Sequence, residues 1–244
     1  MSSVNRMIGH VIVLTSPTEM IEISDRLEKV GFSFGNEVVE QVAGIKSRML
    51  PIHGGGFIEL ASELSPGSFL KGKVFDRTPR IFAVTYTTDD AGGELARWRQ
   101  LPGLEHASAQ VGSWKREDGT MGHYLGVAPT PPVGEIFFGL RDSFMFPPPY
   151  LEVADTAPRI SRITVTGPDA ESWRTRHEEL FSLPERDGVL HAGPTELIFE
   201  QETGLSTEIA LTLSVPRVDV DIELTSGRIR FVSDADYAAT STER

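Results

Sequence analysis

One order of secondary structure, a strand followed by a helix and then by further strands, recurs along this chain. The first copy opens with the apolar segment Ile8 to Leu14, after which Ser16 and Glu19 have the spacing of a capping box. Pro17 suits the first position of a helix, and Gly31 suits its end. The segments that follow, "FGNEVVEQV", "GIKSRMLPI" and "GFIELAS", are typical of strands. Together they predict one βαβββ module.

The same order returns twice. "RIFAVTYTTDD" predicts a strand that runs into a helix cap at Asp89 or Asp90, with three more strands after the helix. The third copy starts at "ISRITVTGPDAESW", where Thr166 is expected to cap a helix and Pro168 to begin it. Its later strands are "GVLHAGP" and "ELIFEQE", and "TEIALTLSV" is a candidate for another. Because one such module has too few strands to bury both faces, neighbouring modules should pack together.

These modules define the expected domains. The fold class is α+β, with tandem βαβββ modules at 7–65 and 80–146 that pair within a domain spanning 1–146. A third, partial βαβββ-like module is expected at 158–233, followed by a C-terminal tail at 234–244. Proline-rich joints connect the modules.

Composition excludes several classes of function. The 244 residues carry a formal net charge of −12, which disfavours nucleic acid as a partner. Acidity can serve solubility, and a preference for cationic ligands is the alternative. No apolar run approaches the roughly 20 residues that span a bilayer, and no signal peptide is evident, so we expect no membrane partner. With no cysteine there is no disulfide or thiolate site, and a cytoplasmic protein is expected.

Two polar residues interrupt strands that are otherwise apolar. Alternate residues of a strand share a face, so His10 lies with Ile12, and Glu59 of "FIEL" lies with Phe57. Polar groups in a buried strand are costly without a partner. A neutral imidazole and a carboxylate suit a divalent Zn, Mn, Fe, Ni or Co ion as a cofactor. A mutual hydrogen bond, as the remnant of an ancestral site, is the alternative.

The order of these features resembles the vicinal oxygen chelate superfamily, and within it the glyoxalase-like domain proteins. The resemblance rests on "GHVIVLTSP", "AGIKSRMLPIHGGGFIEL", "FAVTYTTDD", and "ISRITVTGPDAESW" with "ELIFEQ". It implies that paired modules curl into a cup-shaped mixed β-sheet with helices outside. It also implies a divalent metal in the cup, held by the first and fourth strands of both modules, and relatives that often form homodimers.

Carried over by position, the resemblance makes His10 and Glu59 the metal ligands of the first module. The matching positions of the second module are expected near Phe82 or Ala83 and within "IFFGL", where no side chain can bind a metal. His123 in "TMGHYLGVA" is a candidate for a further ligand or for a catalytic acid or base, and Glu59 is a candidate base. A histidine hydrogen-bonded at the cup wall is the alternative for His123.

Further residues have assigned roles. Tyr86, Trp114 and Phe138 are candidates for the wall of a substrate pocket, and the alternative is that they are ordinary core aromatics. In the third module Arg162 stands at the first-strand ligand position, where we expect an ion pair with Glu200. His177 and His191 are expected at the surface or at an interface.

Two functions follow. The first is a metal-dependent enzyme with lyase, isomerase or ring-opening chemistry on a small oxygenated molecule, whose carbonyl or vicinal oxygens the metal chelates. The alternative is non-catalytic binding or sequestration of a small molecule, as in resistance proteins, with a degenerate metal site. The missing ligands of the second module favour the alternative, but a glyoxalase-like lyase or isomerase is the leading expectation.

Overall fold

A computed structural model describes residues 6–40, 44–54, 56–65, 78–115, 121–128, 137–142, 157–203 and 207–233. The first module comprises β1 (Ile8–Leu14), α1 (Pro17–Lys29), β2 (Val38–Glu40), β3 (Ile45–Pro51) and β4 (Phe57–Glu63). The second comprises β5 (Arg80–Thr88), α2 (Ala91–Trp98), β6 (Ser108–Lys115), β7 (Met121–Ala128) and β8 (Phe137–Asp142). Both have the predicted βαβββ order.

The rest of the chain holds more than a partial third module. A complete module is formed by β9 (Arg159–Gly167), α3 (Ala170–Phe181), β10 (Glu185–Arg186), β11 (Val189–Ala192) and β12 (Thr195–Gln201). The strands β13 (Glu208–Val215), β14 (Val220–Leu224) and β15 (Gly227–Ser233) follow it. The strand β13 pairs in parallel with β15, as β1 does with β4. These three strands therefore correspond to a fourth module in which no helix is described.

The helix starts follow local chemistry. Ser16 and Glu19 form the predicted capping box of α1, and Asp90 caps α2 through the backbone N–H of Gly93. For α3 the predicted cap at Thr166 and the predicted start at Pro168 are both wrong, because β9 continues to Gly167. The N-cap position is Asp169, whose side chain makes no capping hydrogen bond.

The first two modules share one sheet, in the order β2-β3-β4-β1-β5-β8-β7-β6. The first strands of the two modules pair antiparallel at its centre. The edge strands β2 and β6 also contact each other, which shows that the sheet is strongly curled. We call this the first sheet. The second sheet has the corresponding order β10-β11-β12-β9-β13-β15-β14.

Helices α1 and α3 contribute to the apolar core between the two sheets. Val11 and Val13 of β1 share this core with Met20 of α1. Phe32, just after α1, stacks on Phe231 of the second sheet with ring centroids 4.9 Å apart. No helix in the described part of the chain is long and apolar enough to span a bilayer.

The C-terminal end of α3 is held by the first half of the chain. The last carbonyl groups of a helix have no partner within the helix and carry partial negative charge. The indole N–H of Trp98 donates to the carbonyl of Leu180 at 2.9 Å, and Arg97 donates to the carbonyls of Glu179 and Leu180. The buried Arg6 donates to the carbonyl of Phe181. These bonds join the two halves.

Removal of the Arg6 guanidinium should destabilise the whole chain. Arg6 is 1% exposed and also pairs with Glu94. The variant Arg6→Met should lower the free energy of unfolding by about 3 kcal/mol, because it leaves buried partners without a donor. Urea unfolding provides the measurement. The matched change Arg162→Met, in an ion pair whose arginine is 50% exposed, should cost less than about 1 kcal/mol. Equal losses in the two variants would contradict this account.

Candidate functional site

The two polar residues predicted to form a site do meet. Glu59 lies beside Ile12 in the parallel β1–β4 pair, so Glu59 and His10 share one face at adjacent levels. His10 Nε2 lies 2.6 Å from Glu59 Oε2, and the imidazole packs on Phe57 with ring centroids 4.3 Å apart. His10 is 1% exposed and Glu59 is 6% exposed. The site is a buried hydrogen-bonded pair.

Burial determines the protonation of His10. It lowers the pKa of the imidazole to about 4, with a further contribution from the positive charge of Arg141, against the opposing effect of Glu59. His10 is therefore neutral near neutral pH and donates to the carboxylate through Nε2–H. The other nitrogen, Nδ1, is then an acceptor, and within the described residues no donor reaches it.

The Glu59 carboxylate stays charged. Burial raises its pKa, but the hydrogen bond and charge of His10, the charge of Arg141 and a hydrogen bond from Ser47 together lower it below its ordinary value. Ser47 lies on β3 and is 3% exposed. A carboxylate held in this way is a weak base, so it acts mainly to fix the tautomer of His10.

The internal repeat identifies the matching residues of the second module. Thr85 lies directly opposite His10 at the centre of the first sheet and donates to the His10 carbonyl at 3.3 Å. Next to Thr85 on β8 is Gly139, and two residues further along that strand is Arg141. In the first module, the neighbour of His10 on β4 is Phe57, and Glu59 lies two residues further along that strand. The second-module positions are therefore Thr85 and Arg141.

This differs from the sequence expectation, which placed these positions near Phe82 or Ala83 and within "IFFGL". In the antiparallel pairing of β1 with β5, His10 lies opposite Thr85 and Ile12 lies opposite Ala83, so the position that matches His10 is two residues further along β5 than Ala83. The periodicity of the sequence does not determine this register. We call the face that bears His10, Glu59, Thr85 and Arg141 the inner face of the first sheet.

The described residues of the inner face do not fit a four-ligand metal centre. A hydroxyl and a guanidinium stand at the second-module positions, and a guanidinium has no lone pair to offer a cation. Among the described residues no group of three histidine, aspartate, glutamate or cysteine side chains is placed to hold a metal ion. The expected ligands His10 and Glu59 are instead bonded to each other.

Two predicted pocket residues lie on the opposite face. Tyr86 follows Thr85 in the strand, is fully buried, and packs on Phe181 of α3 with ring centroids 4.7 Å apart. Phe138 packs on His177 of α3 at 4.4 Å. The strands alternate, so a residue next to an inner-face position points toward the helices. The structure thus places Tyr86 and Phe138 in the core and not in the wall of the cup.

The remaining predicted site residues lie on strands whose backbone is described. Gly126 of β7 pairs with Arg141, and Val127 pairs with Leu140 in the core. In the pairing of β6 with β7, His123 lies opposite Ser113 and Trp114 lies opposite Gly122. The side chains of His123 and Trp114 lie outside the described residues, and their roles stay predictions.

The third module departs from the expected ion pair. Arg162 bonds Glu196, at 2.7 Å, and not Glu200. The reason is the parallel register of β9 and β12, in which Glu196 lies beside Arg162 and Glu200 lies beside Thr166. His177 lies on α3 and is 1% exposed, with its ring against Phe138 of the first sheet, so a surface position is wrong for it. His191 is half-buried on β11.

Comparisons with known proteins bear on the fold. No protein-family model matches the chain, and no curated protein matches its sequence. Among solved structures, a mutant of 4-hydroxymandelate synthase from Streptomyces coelicolor aligns with a TM-score of 0.61 and 14% identity, over 88% of this chain and 72% of that one. A xylose isomerase-like TIM barrel/4-hydroxyphenylpyruvate dioxygenase fusion protein aligns with a TM-score of 0.52 and 12% identity. That match covers 89% of this chain and 37% of the fusion.

This chain has the vicinal oxygen chelate fold. A hypothetical protein from Staphylococcus aureus aligns over 94% of this chain and 100% of its own length, with a TM-score of 0.66 and 11% identity. Sheet order and neighbours thus confirm the α+β class and the fold that the resemblance implies. At these identities the likeness establishes the vicinal oxygen chelate fold alone.

Two buried histidines should make stability depend on pH. Burial lowers the pKa of both His10 and His177 from 6.5 to about 4, so the unfolded chain binds protons first as the pH falls. Stability should therefore decrease from about pH 6.5 to about pH 4, and Glu59 should add a loss of the same sign only below its ordinary pKa of 4.5. The variant His177→Leu should remove about half of the histidine-linked slope. Chemical unfolding at a series of pH values measures it, and an unchanged slope would contradict the assignment.

Proposed function

We propose that the inner face of the first sheet binds a small oxygenated organic molecule through the chain's own side chains. The observation that carries this proposal is His10 Nδ1, a buried acceptor that no donor among the described residues satisfies. Buried polar atoms are almost always hydrogen-bonded, so an unpaired one marks a place where a partner belongs. A ligand hydroxyl or enol is a donor of the required kind.

The surroundings prepare His10 for this role. Glu59 accepts from Nε2–H and thereby leaves the lone pair on Nδ1, while Ser47 and Arg141 keep Glu59 ionised. The imidazole is also fixed by its contact with Phe57. Because these groups are already oriented, binding costs little conformational entropy. The arrangement supports recognition of a ligand more strongly than it supports proton transfer, because His10 and Glu59 are both weak bases.

The metal-dependent enzyme is the second candidate, with lyase, isomerase or ring-opening chemistry. It is favoured by the meeting of one histidine from a first strand and one glutamate from a fourth strand, at the positions that the resemblance assigns to ligands. Thr85 and Arg141, as the matching residues, weigh against it. Dimerisation and a cytoplasmic location remain predictions.

Thermal unfolding with added ligands should separate the two candidates. We expect hydroxylated organic compounds to raise the melting temperature and divalent Zn, Mn, Fe, Ni or Co ions to leave it unchanged, since a ligand that binds only the folded state stabilises it. The variant His10→Phe keeps an aromatic ring on Phe57 but lacks both nitrogens, and it should lose the ligand-induced shift. A shift with divalent ions alone would support the enzyme.

The metal content of the purified protein gives an independent answer. After dialysis we expect less than about a tenth of an equivalent of divalent metal, unchanged in His10→Ala, since two ligands bonded to each other make a poor site. His191→Ala, at a half-buried histidine of the second sheet, is the matched control. Nearly one equivalent in the wild type and the control, lost only in His10→Ala, would establish a metal site instead.

A further inference from the structure

Arg141 occupies a position that a binding site would use. In the internal repeat it matches Glu59, on the fourth strand of the second module and on the same inner face. It is half-buried, and its positive charge acts on both His10 and Glu59. The chain as a whole carries a net charge of −12, so the positive charge of Arg141 on the inner face is opposite in sign to the net charge of the molecule.

The guanidinium of Arg141 has the chemistry of an anion-binding group. Glu59, on the same face, takes hydrogen bonds from His10 and Ser47. A guanidinium presents its N–H donors in a planar fork. This fork matches the two oxygens of a carboxylate, and such charge-assisted bonds are the strong ones.

We propose that Arg141 binds the carboxylate of a small hydroxylated organic acid, at the position where the resemblance places a metal ligand. The hydroxyl of the same ligand donates to His10 Nδ1. The cationic part of the site is thus a side chain of the protein, and the ligand class is an organic anion. This inference rests on the proposed binding function of the inner face.

The test pairs each acid with its own amide, which keeps the shape and removes the charge. The probes are lactate with lactamide, salicylate with salicylamide, and phenyllactate with phenyllactamide, titrated against the full chain by calorimetry. We expect the wild type to bind at least one acid, and to bind its amide about tenfold to a hundredfold more weakly. Added NaCl should weaken binding of the acid only.

Two variants assign the effect to Arg141. Arg141→Gln should lose the preference for the acid, whereas Arg141→Lys, which keeps the charge without the fork, should retain part of it. Arg162→Gln, on the second sheet in an ion pair with Glu196, is the matched control and should bind as the wild type does. If Arg141→Gln does not fold, the comparison of Arg141→Lys with the wild type replaces it, and undiminished binding of the acid then contradicts the inference.

The outcomes distinguish the two proposals. Equal binding of acid and amide, lost in His10→Phe but kept in Arg141→Gln, overturns the role of Arg141 and leaves the binding function standing. Binding of acids that survives in both variants contradicts both proposals, because the ligand then lies elsewhere. The absence of any binding across the panel counts against the proposed function and the inference together.

Discussion

The antiparallel pairing of β1 with β5 is the constraint on which the rest of this structure depends. It joins two modules into one sheet and sets His10 directly against Thr85. The parallel pairs on either side then bring Glu59 and Arg141 to the same face. Backbone hydrogen bonds at the centre of the sheet therefore determine which side chains can meet, before any of those side chains interact.

The chemistry of the inner face follows from burial and charge together. A buried carboxylate is costly unless it is paired, and here the imidazole of His10, the hydroxyl of Ser47 and the charge of Arg141 share that task. The same burial keeps His10 neutral. The site is consequently a charge-balanced polar cluster within an apolar sheet, and a ligand that enters it meets groups whose protonation is already determined.

Much of this architecture could be predicted from the sequence, because a capping box at Ser16 and alternating strands are local signals. Both His10 and Glu59 interrupt apolar strands, but their meeting was predictable only from the resemblance, which places both residues at ligand positions of one site. Arg141 was not, because its place depends on the registers of β1 with β5 and of β5 with β8, and no local signal in the sequence determines these registers. Tyr86 and Phe138 were assigned to the cup because aromatic residues in strands do not reveal which face is covered by a helix from another module.

The fourth module has strands but no described helix of its own, and the stacking of Phe32 on Phe231 supplies cover from the opposite half. The second half of the chain therefore depends on the first half to cover its apolar residues. A fragment that began at β9 would present the apolar underside of β15 to water, and would tend to associate with itself. The two halves therefore share one hydrophobic core, and the fourth module depends on the first module for part of its cover.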